Sequence, residues 1–575
     1  MSTHKRIDII CVVVTVCALI LTILFMNGEK LGLVPIVDED SPYAEKLEHF
    51  TSNDLNGSWS TEGATRILLE GDTASISGKG AYAVDGNVVI AGGGYYVLEG
   101  ELTDGSIIVD GYNTSKVWIL LDGVSVYCSD DAALIVEQAE KVFLTLQEGT
   151  DNFLESGAEY SAEALSDNTN AAVFAKDDLT INGSGSLTVT AAYRHGIAAK
   201  DDLAITGGTI KISAPVDGIR VNDSFCFREA DLQITAEDEG IVQENPEEVF
   251  YIGSGTVMID SGDDAVSAVS EVVIDGGRMT ICAVDDAIQS DASITVNDGT
   301  VLVTECYEGL EAPSITIAGG DVTICPEDDG LNANGSFENA FIRISAGTLT
   351  IINETGNDAD GLDSNGDIYI TGGTVRISLL NSGSNSAIDH AGESGGICEI
   401  SGGTVVAAGS YTMAEQFDET SSQCSILYTY SSGVHSGTTV SVTDTQGNVL
   451  LSWEVPCSFS AVTLSCPEMT VGETYYVVIG DSQEEITLQE VSSVYGDVQP
   501  GGFAGPVDPG QMQQRLEQPV SFANYEPAAE EEETAPSTMV SVSELDSSVW
   551  IWLGICAALV TVGILFVFFY RRGRL

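Results

Sequence analysis

AVDDAIQSDASITVNDGTVLV, residues 283–303, sets two adjacent acids, Asp285 and Asp286, before a small residue and an aliphatic one. Two short alternating stretches follow, SITV and TVLV, separated by an N-D-G turn. The phrase returns as RHGIAAKDDLAITGGTIKIS from 194, VDGIRVNDSFCFREADLQIT from 216, DDAVSAVSEVVIDGGRMTIC from 263, YEGLEAPSITIAGGDVTIC from 307 and DDGLNANGSFENAFIRISAGTLTI from 328. Looser copies begin at 359 and 386. The small residue stands at 196, 218, 240, 265, 287, 309 and 330, a spacing of 21 to 25 residues that marks stacked units. Three apolar stretches per unit exceed a two-strand rung and match a coil of three short strands. Alternate Val, Ile and Thr then line a shared interior. The expectation is an all-β chain built on a parallel β-helix. A propeller would need roughly 40 to 50 residues per blade and aromatic signatures that do not recur here.

Around this repeat the chain divides by composition. Residues 60–160, including GGGYYVLEGELTDGSIIVDG, read as an N-terminal cap and first coils, and 161–412 as the β-helix repeats. The period is lost after 412, and 413–496 reads as a small C-terminal β-sandwich-like module. Residues 497–547, with EPAAEEEETAPS, read as a disordered acidic stalk. IDIICVVVTVCALILTILFM, residues 7–26, follows Lys5 and Arg6, which makes 1–30 a signal anchor or a signal peptide. VWIWLGICAALVTVGILFVFFY, residues 549–570, precedes Arg571, Arg572 and Arg574, so 548–575 reads as a transmembrane anchor with a cytoplasmic tail. Two transmembrane helices would thus flank the fold on a bacterial cell membrane, with everything between them extracellular.

The chain carries 61 Gly but 14 Pro, and 87 acids against 21 bases give a formal charge of -66. Nucleic acid would be repelled, which excludes it as a partner, whereas cations or cationic partners would be attracted. The sequence assigns no protein partner. Three of the 12 Cys lie in the apolar ends, leaving an odd number between them. Cys282 and Cys325 stand two repeats apart, about 10 Å at ~4.8 Å per layer, beyond the ~7 Å reach of a disulfide. They are expected as small buried residues, and Cys457 and Cys466 are a candidate pair.

In a β-helix, matching positions lie one above another, so Asp217, Glu239, Asp264, Asp286, Glu308 and Asp329 form a column. Asp238, Asp263, Asp285 and Asp328 lie one step earlier. Charges about 5 Å apart repel by roughly 0.8 kcal/mol even in water. Calcium suits such a column because it takes six to eight oxygens from carboxylates and carbonyls, while magnesium demands a stricter octahedron. Plain turn chemistry on a solvated acidic face is the alternative reading of the same residues.

NAAVFAKDDLTINGSGSLTVTAAYRHGIAAKDDLAITGG, DDAIQSDASITVNDGT, YEGLEAPSITIAGGDVTI and DDGLNAN resemble bacterial extracellular carbohydrate-binding domain-containing proteins over about residues 65–495. The resemblance implies a right-handed β-helix similar to pectate lyases, bound Ca2+, and binding of polygalacturonate or cellulose without demonstrated cleavage. It makes Asp285, Asp286, Glu308, Asp328 and Asp329 the leading calcium ligands. His195 in place of an acid, and D-E-G at 238–240, depart from the pattern and put metal at those coils in doubt.

The function expected is a calcium-dependent, non-enzymatic binder of acidic or cell-wall polysaccharide at the cell surface. Calcium would bridge protein acids and uronate carboxylates, and Tyr193 and Tyr307 would stack on sugar faces. A lyase reading would use Lys176, Lys200, Arg194 or Arg220 as base. Salt pairing accounts for Lys176 and Lys200, each of which precedes an Asp-Asp pair. A third reading is an adhesive surface rod in which calcium serves only stability.

Overall fold

The computed structural model describes residues 49–112, 115–356 and 359–500. The apolar segments at 7–26 and 549–570, and the acidic stretch beyond 500, lie outside the described residues. Among the described residues no helix is long and apolar enough to cross a membrane.

The stretch at 283–303 folds into strands Ile288–Ser290, Ile294–Val296 and Thr300–Cys306. The next copy repeats them as Leu310–Ala312, Ser314–Ile317 and Asp321–Pro326. Each pairs in parallel with its predecessor, Ile288 opposite Leu310, Ile294 opposite Ile315 and Val301 opposite Val322. Repetition makes a parallel β-helix. Its first strands stack into a 14-stranded sheet, and its second and third strands belong to a 27-stranded sheet. The latter two are joined because strands such as Lys116–Cys128 and Asp367–Leu379 run through the corner between them.

Alternation explains the core. Ile288, Ile294, Val296, Val301 and Val303 point inward and are fully buried, each contributing about 1.5–3 kcal/mol by leaving water. The corner between second and third strands requires a left-handed residue, and Gly277, Gly299 and Gly320 supply it with φ of 85°, 97° and 75°. A Cβ on Gly299 would also lie 2.7 Å from the Gly277 carbonyl oxygen. The N-D-G and G-G turns are therefore both conformational and steric requirements of stacking.

Both ends of the rod are closed by antiparallel pairing, which hides the open edges. At the start Arg66–Leu69 pairs with Ala74–Ser77, and Ala81–Val84 with Asn87–Ile90. At the finish Val405–Gly409 of the last coil pairs with Ala461–Ser465, which pairs in turn with Ser425–Thr429. A four-stranded antiparallel sheet, Thr438–Asp444, Val449–Val455, Thr474–Ile479 and Ser482–Thr487, packs against this extension through Val440, Leu451, Val477, Ile426 and Val462. The sandwich-like module thus shares its inner layer with the last coil.

All nine cysteines of the described residues are free. Cys457 and Cys466 form no pair, since the Cys457 thiol lies 3.4 Å from the Asn353 carbonyl oxygen and 3.5 Å from that of Ser378. Cys282 and Cys325, expected buried, are half-exposed because both occupy outward places on their third strands.

Candidate functional site

The phrase before each first strand positions the acids. Its small residue donates a backbone hydrogen bond to the carbonyl of the acid one coil on: Ala265 to Asp286 at 3.0 Å, Ala287 to Glu308 at 3.0 Å, Gly309 to Asp329 at 2.9 Å and Gly330 to Asp360 at 2.9 Å. A Cβ on Gly330 would meet the Gly361 carbonyl oxygen at 2.6 Å, which is why the place is kept small. Carboxylates reinforce this ladder: Asp264 Oδ1 accepts from the Asp286 amide at 3.0 Å, and Asp329 Oδ1 from the Asp360 amide at 2.7 Å. The acids are held in file by backbone geometry.

Among the described residues carboxylates converge in four places, each a set of three whose oxygens lie within 4.8 Å of one another. They are Asp217, Asp238 and Glu239; Asp263, Asp264 and Asp285; Asp286, Glu308 and Glu311; and Asp360, Asp363 and Asp389. The adjacent acids of the opening stretch are therefore divided, Asp285 serving one group and buried Asp286 the next. Asp329 sits between the third and fourth groups, and burial followed by Asp363, Asp328 and Glu308 raises its carboxyl to about 8.

Sequence reasoning missed Glu311, Asp360, Asp363 and Asp389. Glu311, Asp363 and Asp389 belong to a second column, the outward middle residue of each first strand, where Gln289 faces Glu311, Glu311 faces Asn332, Asn332 faces Asp363 and Asp363 faces Asp389. The available signal was an acid three residues after the first, as in E-G-L-E at 308–311 and D-G-L-D at 360–363. In the earlier coils the same column is apolar and buried at Ile135, Phe174 and Ala198.

Crowding and burial leave Asp264, Asp286, Glu308 and Asp360 reluctant to ionise. Burial raises Asp264 to about 6, and burial together with Glu311 and other acids raises Glu308 to about 7 despite a hydrogen bond from Asn332. Asp360 is pushed up to about 9 by burial and then by Asp329, Asp389 and Asp363. Asp286 is also raised, by burial first and then by its hydrogen bond with Glu311. Three close carboxylates form a hard, all-oxygen donor set, and a divalent cation would relieve their repulsion.

The first group differs because basic side chains of the protein already stand against it. His195 Nδ1 lies 3.0 Å and an Arg220 nitrogen 2.7 Å from Asp217 Oδ2. Burial opposes charge on Asp217, but His195, Glu239 and Arg220 hold it below the usual carboxylate range. Arg220 also bonds Glu244 at 2.5 Å. Lys176 pairs with Glu137 of the preceding coil at 2.5 Å, so its partner is not the Asp-Asp pair that follows it.

Of the two tyrosines, Tyr193 is half-buried against Tyr160, ring centroids 4.5 Å apart. Tyr307 is 46% exposed beside Glu308, and its hydroxyl is hydrogen-bonded to Asp328, which with burial and nearby acids raises it to about 12. The structure thus puts Tyr307, and not Tyr193, next to the acid column of the later coils.

A family profile described as "Carbohydrate-binding domain-containing protein" matches residues 84–324 and 281–449. A protein of that description from Acetivibrio thermocellus is 32% identical over 240 residues, covering 41% of this chain and 84% of its own length. Among solved structures, the gadolinium derivative of the polysaccharide lyase-like protein from C. thermocellum is 30% identical, covers 49% of this chain and 97% of its own, and superposes with a TM-score of 0.37.

Proposed function

The chain belongs to the family of carbohydrate-binding domain-containing proteins, and from that premise we propose that it binds acidic polysaccharide through calcium held on its acid column. The observation that carries this reading is the pair of carboxylate groups Asp286–Glu308–Glu311 and Asp360–Asp363–Asp389, whose oxygens gather within 4.8 Å. A chain of formal charge -66 repels a polyuronate at long range. Calcium takes more oxygens than three carboxylates need supply, so uronate carboxylates and hydroxyls could complete its shell. The same ion would then neutralise the protein and recruit the ligand.

Binding without cleavage is the better-supported activity. A lyase needs a free base beside the metal. Of the four candidate bases, Arg220 is committed to Asp217 and Glu244 and Lys176 to Glu137, which leaves Lys200 and Arg194 to a lyase reading. Tyr307, exposed beside Glu308, is the stacking residue this reading favours. The apolar segments at 7–26 and 549–570, with the basic tail, support display at the outer face of a bacterial cell membrane.

The test is retention of the chain on immobilised polygalacturonate with calcium and with excess chelator. Retention that needs calcium, and is absent on a neutral glucan, is expected. Equal retention in chelator would remove calcium bridging from the account.

A further inference from the structure

One outward-facing column of the rod is largely buried. It starts at the exposed Tyr95 and half-buried Trp118 and is covered from Phe143 through Thr180, Ala204 and Cys226 to Tyr251, on the second strands of successive coils. Phe143, Thr180, Cys226 and Tyr251 have almost no exposure because residues 49–59 lie along them. At one end His49 stacks on Tyr251 with ring centroids 4.1 Å apart, and Phe50 meets the same ring edge-on at 6.0 Å. At the other, the Trp59 ring lies 5.0 Å from Tyr95, which begins a stack through Trp118 to Phe143 at 4.7 and 5.2 Å. The Trp59 indole N–H donates to the Thr145 hydroxyl at 3.2 Å.

Between these aromatic ends sits Asp54, the one acid in the segment. Its carboxylate accepts from the Thr180 hydroxyl at 2.6 Å and lies 3.0 Å from Lys141 Nζ. The Asn182 amide donates to the backbone carbonyls of Asp54 and Asn56 at 3.2 and 3.4 Å, and the Thr206 hydroxyl donates to that of Asp54. Beneath the segment there is therefore a lysine and hydroxyl seat for a carboxylate, further neutral donors, and flat rings on either side. These are the groups that hold an acidic sugar chain.

The geometry points to a second saccharide groove, occupied in the intact chain by residues 49–59, with Asp54 standing where a uronate carboxylate of an incoming chain would sit. Lys141 is only 12% exposed and would keep only Asp178, at 3.8 Å, when the seat empties, so an occupant that brings a carboxylate restores its nearer partner. This groove holds its carboxylate by lysine and needs no calcium, unlike the acid column. Occupation in cis lowers the apparent affinity for outside ligand by the fraction of time the segment stays seated. The inference rests on the acidic-polysaccharide reading above.

The test places a specific protease site in the exposed turn at residues 60–63 of the full chain. Asp54→Asn is added in a parallel variant so that the cut segment leaves. Oligogalacturonate binding is then measured by calorimetry in chelator. The cut chain should bind about tenfold or more tightly than the uncut chain. A synthetic peptide of residues 49–59 should compete, the Asp54→Asn peptide should not, and Lys141→Met should abolish the gain. A cut chain that has lost the segment, keeps its β-sheet circular dichroism and binds nothing in chelator overturns the inference, as does a segment that saturating oligogalacturonate cannot displace or equal binding of a neutral cello-oligosaccharide. The uncut chain in calcium tests the parent reading separately, because that binding belongs to the acid column.

Discussion

Asp285 and Asp286 are neighbours in the chain and members of different groups. Alternate side chains leave the backbone in different directions, so Asp285 meets Asp263 and Asp264 while Asp286 turns toward Glu308 and Glu311. Exchange of the two should therefore have separable effects. Asp286→Asn removes a buried, proton-loving carboxyl from its group and is expected to weaken calcium binding there by about tenfold or more, since affinity follows the charge of the ligand set. Asp285→Asn should leave that ion in place. Titration calorimetry on the two single variants checks this, and one identical loss in both would show a single shared ion. Without calcium, Asp286→Asn should melt no lower than the parent, because the change relieves repulsion among Asp264, Glu308 and Glu311.

At the scale of elements, the first strand and its phrase act as one device, with the small residue fixing the spacing of the acids behind it. Gly330→Val puts branches where a Cβ alone would lie 2.6 Å from the Gly361 carbonyl and from Ile351 Cδ1, and should cost about 1–3 kcal/mol in urea unfolding. Ala should cost less, as Ala265 and Ala287 fill the matching place in other coils. The second strands show a different constraint. Ile294–Val296 alternates between buried and half-exposed, whereas Leu203–Ile205 and Phe225–Phe227 are buried at every residue. The segment at 49–59 makes the difference, and its Asp54–Lys141 contact is the charged lock. Asp54→Ala should destabilise the chain by about 1–3 kcal/mol, because it removes the nearer of Lys141's two carboxylates, leaving Asp178 at 3.8 Å, and strips the buried Thr180 hydroxyl of its acceptor, and denaturant midpoints measure that loss.

Across the whole molecule the raised carboxyls govern response to pH. Asp264 near 6, Glu308 near 7, Asp329 near 8 and Asp360 near 9 hold protons that an unfolded chain releases near the ordinary carboxylate value. Above that ordinary value the folded chain binds more protons than the unfolded one, so stability falls as pH rises through the window up to about 9. Asp54 and Asp217, held below the usual range, act in the opposite sense and lose their contribution only as pH falls through their depressed values. The chelated chain should therefore melt highest near about pH 5 and lower by about pH 8, and saturating calcium should flatten that decline. Scanning calorimetry across pH, with and without calcium, checks both; a chelated chain that gains stability toward pH 8 would contradict the crowded-acid picture.

The repeat, the three-strand coil and the acid column were legible in the sequence because each follows from a period and from alternation, which are local properties of the chain. Asp217, Glu239, Asp264, Asp286, Glu308 and Asp329 could be placed in file by counting alone. Counting could not divide Asp285 from Asp286, because that depends on which way each side chain leaves the turn. It could not find Glu311, Asp363 and Asp389, which become partners only when register brings a second column beside the first. Nor could it show that residues 49–59 lie across coils far along the chain, bonding Asp54 to Thr180 and stacking His49 on Tyr251. Contacts between distant residues carry no period, so only the folded chain decides them. The sequence by itself determined the rod and its line of acids; the tertiary structure decided which acids meet, which already face His195 and Arg220, and which face of the rod is covered.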